Sequence, residues 1–285
     1  MLTISVNPVA FTIGSHQVRW WGIIASIAII VMIVITLREA KRLGIKRDLY
    51  SLFLWCIIGG LIGGRLAYVI YDWPHFVAHP LEIIGFQGLA QMGMIVGIIV
   101  AALIYMGVTR MRFSTLLSIG DAFIVGALLA LAIGRVGCTL NGCCYGQPSP
   151  FHFFPLAVIY TPHDTIPPQY WGVPLYPTQI YHALWNLIVF GILWRVRGKF
   201  KPEGGLLFFG FCIYAIGDLG LRFLRAAHNA PDAILFWGLD IPQVVDLAIF
   251  VIFLSWLIIK LRRFQKQALV AEPATEAEPE QGRGD

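Results

Sequence analysis

The feature that most constrains this chain is the recurrence of apolar stretches long enough to cross about 30 Å of hydrocarbon, which takes roughly 17 to 25 residues in a helix. They fall near residues 18–37, 50–71, 86–108, 115–134, 176–194, 204–224 and 237–260. The expected fold class is an all-α integral membrane protein with seven transmembrane helices. The stretch after residue 204 is the weakest of the seven, because it carries Asp218 and Arg222. Composition agrees: 58% hydrophobic against 13% charged residues leaves too little polar surface to cover a water-soluble globule. Residues 1–267 read as one transmembrane domain with an outer loop at 139–175. Residues 268–285 read as a disordered cytoplasmic tail, low in complexity and acidic from Ala271 onward. Met1 to Gln17 lacks the basic and apolar regions of a signal peptide, so the first span is expected to stay in the mature chain.

The net charge of +5 reports topology rather than a polyanion, and no nucleic-acid partner is expected. Arg38, Lys41, Arg42, Lys46 and Arg47 follow the first span. Arg110 and Arg112 link the third and fourth, and Arg195, Arg197, Lys199 and Lys201 link the fifth and sixth. Lys260, Arg262, Arg263 and Lys266 follow the seventh, so most of the 21 cations share one side. The positive-inside rule makes that side cytoplasmic, with the N-terminus outside and the C-terminus inside.

Apart from Arg283 in the tail, the remaining cations are Arg19, Arg65, Arg135, Arg222 and Arg225, each at or just inside the outer end of an expected span. Unpaired charge is costly there and is normally kept toward a bundle interior or a wet cavity. Each arginine alone can snorkel to headgroups, or pair with Asp72 or Asp218. Five converging on one leaflet favour an anion site, and a guanidinium fork suits a lipid phosphate.

One stretch concentrates the rest of the chemistry. "GRVGCTLNGCCYG", residues 134–146, joins Arg135 to four glycines, Asn141 and the thiols of Cys138, Cys143 and Cys144. It reads as a turn closing the fourth span, in which Arg135 and nearby glycine amides face a phosphate. On the expected topology these thiols meet an oxidising compartment, where Cys138 can pair with Cys143 or Cys144; the spacing leaves the connectivity open. Two CxxC pairs would argue for a metal and are missing, so no metal is expected. Cys56 and Cys212 lie inside spans as packing residues.

These blocks resemble a known family. "NPVAFTIGSHQVRWWG" at 7–22, "GGRLAYVIYDWPHF" at 63–76, "GRVGCTLNGCCYG", "YPTQIYHALWN" at 176–186 and "YAIGDLGLRFLR" at 214–225 look like prolipoprotein diacylglyceryl transferase, in the family's order. The resemblance implies a seven-helix enzyme of the bacterial cytoplasmic (inner) membrane, with its active site toward the outer leaflet. It implies transfer of the diacylglyceryl group of phosphatidylglycerol to the lipobox cysteine thiol of a prolipoprotein signal peptide. A thioether forms, glycerol phosphate leaves, and no cofactor is needed. The expected catalytic residues are Arg135, at the position of the family's signature arginine, Arg222, which with Arg225 comes from another helix to complete a phosphate clamp, and His182 as a substitute base. Arg65, Gly134, Gly137, Asn141, Gly146, Gln179, Tyr181, Tyr214 and Arg225 are the expected substrate-binding residues.

The chain departs from the family pattern at informative places. The signature Gly-Arg-x-Gly-Asn-Phe-x-Asn-x-Glu has Cys138 at its first Asn and Cys143 at its Glu, while Asn141 is kept. The family's histidine falls on Met92, which accepts no proton. In the last motif Asp218 stands for an Arg and Arg222 for a Glu, an exchange that keeps a helical i, i+4 ion pair with its polarity inverted. His75, His79, His152, His163, His182 and His228 lie near the outer side; either His182, after "PTQIY", substitutes as base, or the acceptor thiol needs none because the arginines lower its pKa. Two other readings stay open: a paralogue with the same lipid-phosphate pocket but a different acceptor, and a non-catalytic lipid-binding or transport protein. Transport is the least supported, since polar residues gather at one leaflet rather than along a midplane path.

Overall fold

The computed structural model describes residues 2–14, 16–84, 90–162, 165–200, 203–226 and 235–271. The helices are α1 (Trp20–Arg42), α2 (Leu49–Tyr71), α3 (Trp73–Ala78), α4 (Gln91–Val108), α5 (Phe113–Asn141), α6 (Thr178–Val196), α7 (Gly205–Arg222) and α8 (Ile241–Ala271). Five of them, α1, α2, α5, α7 and α8, are long and apolar enough to cross a membrane. The expected seven spans are thus met by five helices of full length and apolarity. The other two expected spans correspond to α4, with 18 residues, and α6, with 19. The physical reason at α6 is polar content: Thr178, Gln179, His182 and Asn186 are all buried on it. The doubted span at 204–224 is one of the five, as α7.

The chain forms two compact units, Leu37–Ile119 and the remainder. In the first, α2 and α4 pack through glycine. A Cβ on Gly97 would stand 2.1 Å from the carbonyl oxygen of Gly59, and one on Gly93 2.3 Å from that of Gly63. Small residues four apart on each helix let the backbones approach, the packing that lipid favours where no hydrophobic force separates helix from tail. Asp48 caps α2 by accepting from the amides of Tyr50 and Ser51. Arg65 donates Nε to the Ile83 carbonyl at 2.9 Å and also bonds the Glu82 carbonyl, while its guanidinium lies over the rings of Tyr68 and Phe76.

In the second unit, Ile124, Val125 and Leu128 of α5, Val189 and Leu193 of α6, and Leu206 of α7 make a buried core. Gly217 of α7 takes the Trp185 ring of α6, where a Cβ would lie 2.0 Å from it. Asp121 of α5 reaches the start of α7 and accepts from the amides of Gly204 at 2.7 Å and Leu207 at 2.8 Å. These are donors that a helix N-terminus leaves unsatisfied. On its other side α7 packs against α8 through the rings of Phe208, Phe211, Phe253 and Trp256.

Three short strand pairs complete this unit. β1 (Leu2–Ile4) runs parallel to β4 (Val158–Tyr160), β2 (Val9–Ile13) is antiparallel to β3 (His16–Arg19), and β5 (Leu235–Phe236) to β6 (Leu239–Asp240). The proline-rich segment after α5 has its own small core of Val158, Tyr160, Ile166 and Leu175.

One expectation is corrected. The fourth stretch does not turn at residue 134: α5 runs on to Asn141, so Gly134, Arg135, Gly137 and Cys138 are helical. Glycine alone does not end a helix whose neighbours favour it, and in lipid the backbone bonds are too valuable to release. The amides of Gly134 and Gly137 belong to the helix ladder and are not phosphate donors. The chain reverses only at Gly142, which has φ +67°.

Candidate active site

Where α5, α6 and α7 meet, three expected residues converge on one carboxylate that the sequence places four residues before Arg222. Asp218 is fully buried; its Oδ1 lies 3.0 Å from His182 Nδ1 and 4.0 Å from Arg135 Nη2, and its Oδ2 2.6 Å from Arg222 Nε. Arg222 Nε also donates to Asp246 Oδ2 of α8 at 3.1 Å. The inverted i, i+4 pair therefore forms, and Asp246 extends it. The His182–Asp218 contact is close but not aligned: Oδ1 has no well-directed donor among the described residues. Proximity of the carboxylate still favours the tautomer with its proton on Nδ1, leaving Nε2 as an acceptor.

The surrounding side chains are polar and under-satisfied. Asn141 Oδ1, Gln179 Oε1, His182 Nε2, Trp185 Nε1, Asn186 Oδ1 and Arg225 Nε are buried with no hydrogen-bond partner among the described residues. Each such atom costs about 1–3 kcal/mol when left unpaired. Four of the six, on Gln179, His182, Trp185 and Asn186, lie on α6, the helix that brings His182 to Asp218. Tyr214 lies one helical turn before Asp218 on α7.

Beside this network the thiols gather. After Gly142 the chain folds back, so that Cys143 donates its amide to the Cys138 carbonyl at 3.1 Å. Cys144 has φ +60°, a left-handed conformation that costs a residue with a Cβ about 1–2 kcal/mol. Thr178 Oγ1 donates to the Cys144 carbonyl at 2.8 Å, and Gln179 Nε2 to the Cys143 carbonyl at 2.9 Å and to the Tyr160 hydroxyl at 2.9 Å. All three thiols are free, with sulfurs within 4.8 Å of one another, so the considered disulfide is not formed. Contacts with the Cys138 and Cys143 side chains hold Cys144 well below the ordinary thiol pKa, and the Arg225 and Arg135 charges add to this. Cys143 is pushed up by the same contacts and by burial.

The other expected residues take different places. Gly137 packs on Ile24 and Trp21 of α1, and Gly134 faces open space. Gly146 is held by backbone: its amide donates to the Tyr176 carbonyl at 3.0 Å, and a Cβ would stand 2.4 Å from that oxygen. The Tyr181 hydroxyl donates to the Pro155 carbonyl at 2.7 Å, tying the proline-rich segment to α6. Arg225 pairs by backbone with Gly146. Arg65 and Met92 belong to the other unit. His75 and His79 are there too, with His75 Nε2 2.9 Å from Glu82 Oε2. His152 is exposed, and His163 and His228 lie outside the described residues. Asp246 and Asn186 were not anticipated. An acid inside the apolar stretch 237–260, and an amide four residues after His182, were the available signals.

The family model for prolipoprotein diacylglyceryl transferase matches residues 8–259. The chain belongs to that family. A phosphatidylglycerol-prolipoprotein diacylglyceryl transferase of Dehalococcoides mccartyi is 33% identical over 270 residues, covering 94% of this chain and 98% of that one. Enzymes of the same name from Nostoc and Clostridioides difficile are each 31% identical, over 92% and 85% of this chain. Within the family, the departures at Asp218 and Arg222 are structurally coherent, because the exchanged residues bond each other.

Proposed function

We infer that the chain transfers the diacylglyceryl group of phosphatidylglycerol to the lipobox cysteine of a prolipoprotein. What carries the reading, beside family membership, is the His182–Asp218–Arg135 constellation: a base with a free ring nitrogen, a carboxylate 3.0 Å from its other nitrogen, and a guanidinium 15% exposed. His182 Nε2 takes the acceptor thiol proton. The thiolate attacks the diacylglyceryl carbon bonded to the phosphate oxygen, and the C–O bond breaks with its electron pair on that oxygen. A thioether forms and glycerol phosphate departs. Arg135, with Arg225, stabilises the charge growing on the departing oxygen, where preorganised donors act most strongly. Arg222 serves as a positioning residue, since its Nε is shared by two carboxylates. His182 fills the part that Met92 leaves empty.

The same reading gives seven spans, with α4 and α6 among them, an outside N-terminus and a site toward the outer leaflet of the bacterial inner membrane. Engineered cysteines near Lys46 and Arg197 should resist membrane-impermeant reagents, and external labelling near Arg197 would reverse the orientation. The reaction is tested with purified protein, phosphatidylglycerol and a lipobox peptide. The peptide should gain the mass of a diacylglyceryl group, and the gene should restore precursor lipidation in cells depleted of their own transferase. Cys138, Cys143 and Met92, at positions where the family pattern differs, favour a second reading with another acceptor thiol or amine. Release of glycerol phosphate without modification of the lipobox peptide would select it.

A further inference from the structure

We propose that Cys138, Cys143 and Cys144 form a binding site for one thiophilic d10 cation, Zn2+ or Cu+. The three Sγ atoms lie within 4.8 Å of one another. Metal–thiolate bonds of about 2.3 Å put the sulfurs of a tetrahedral or trigonal site roughly 3.8 to 4.0 Å apart, so closure draws the sulfurs together by about 1 Å at most. Soft thiolates select these ions over oxygen-loving ones.

The backbone is committed to this arrangement. Cys138 lies in the last turn of α5, Gly142 and Cys144 adopt left-handed φ of +67° and +60°, and the reversal returns two cysteines over the first. The Cys143 thiol points at the Cys138 carbonyl, 3.8 Å away. Buried Thr178 and Gln179 then fix the carbonyls of Cys144 and Cys143 from α6. Side-chain bonds to the backbone behind the ligands are how metal sites orient their first coordination sphere. Three thiolates carry excess negative charge around either ion, and Arg135 and Arg225 act on Cys144 from nearby. A site with three protein ligands keeps a coordination position open, as in reactive rather than purely structural zinc centres. The spacing Cys-x4-Cys-Cys belongs to no familiar ligand pattern, which is why sequence alone argues against a metal.

The test uses full-length protein purified in detergent with a non-thiol reductant, loaded separately with Zn2+ and with Cu+, then desalted. Close to one equivalent of one ion should remain, with three sulfur neighbours at about 2.3 Å in X-ray absorption. Cys138→Ser/Cys143→Ser/Cys144→Ser should retain none, and Cys56→Ser should retain it fully. If the triple variant is not recovered, Cys143→Ser alone should lower the retained fraction at least tenfold. Which ion stays distinguishes the two sources. Retention of neither, or equal retention by the variants, overturns the proposal. Because the readout is bound metal, the site stands or falls independently of lipid transfer.

Discussion

Asp218 Oδ1 stands 3.0 Å from Nδ1 of His182, two side chains from neighbouring helices that are almost wholly buried. A carboxylate in that position holds the imidazole in one tautomer and stabilises it when it takes a proton. Replacement of His182 by Ala should lower kcat with a lipobox peptide by on the order of 10²- to 10⁴-fold, the usual contribution of a general base. Asp218→Asn should lower it as well and leave phosphatidylglycerol binding nearly intact. Unchanged turnover in His182→Ala would remove the base from the mechanism.

Arg135 and charge are separable. Arg135→Lys keeps the charge but lacks the planar fork, and loss of one such donor costs about 3 kcal/mol, or roughly a hundredfold in kcat. Phospholipid binding should suffer less than turnover. Arg19→Lys, at the end of β3, should change little. Full activity in both Arg135→Lys and Arg135→Ala, measured with phosphatidylglycerol and a lipobox peptide, would show that the leaving phosphate is stabilised elsewhere.

The thiols should differ in their response to pH. A folded-state pKa depressed from 9.0 means that the Cys144 thiolate persists as pH falls, and its reactivity is lost only on passing through that lower value. In metal-free reduced protein, iodoacetamide should modify Cys144 at pH 6 with Cys143 still protected, as read by peptide mass spectrometry. Preferential labelling of Cys143 would invert the assigned proton positions.

Gly146→Ala probes construction rather than chemistry. The new methyl would meet the Tyr176 carbonyl at 2.4 Å and the Leu224 carbonyl at 2.9 Å, both backbone atoms with little room to yield. Overpacking of this kind costs about 1–3 kcal/mol, so the thermal midpoint should drop by several degrees. Gly134→Ala, which meets nothing within 4 Å, should leave it unchanged.

The apolar stretches made the helical membrane character and the approximate limits of the helices legible, because spanning length is set by lipid thickness. The end of α5 was not, since glycine at 134 and 137 signals a turn in water but is tolerated in lipid. Arg135 and Arg222 stand out in the chain because charge within an apolar stretch demands an explanation, whereas His182 is picked out only by its place after the "PTQIY" block. The Asp218–Arg222 pair was legible as an i, i+4 spacing, but the arrival of His182, Arg135 and Asp246 beside it depends on helix rotation about the long axis, which no local pattern specifies. Arg65 shows the same limit from the other side: its reach to the carbonyls of Glu82 and Ile83 joins residues far apart in sequence.

The glycine contact between α2 and α4 carries a practical corollary. Backbone meets backbone at Gly59, Gly63, Gly93 and Gly97, so the adhesion rests on dispersion forces and weak Cα–H contacts rather than on expulsion of water. Such a joint is indifferent to whether acyl chains or detergent surround it. Leu37–Ile119 should therefore keep its helix pairing through extraction from the membrane, under conditions that strip lipid from every outward-facing side chain.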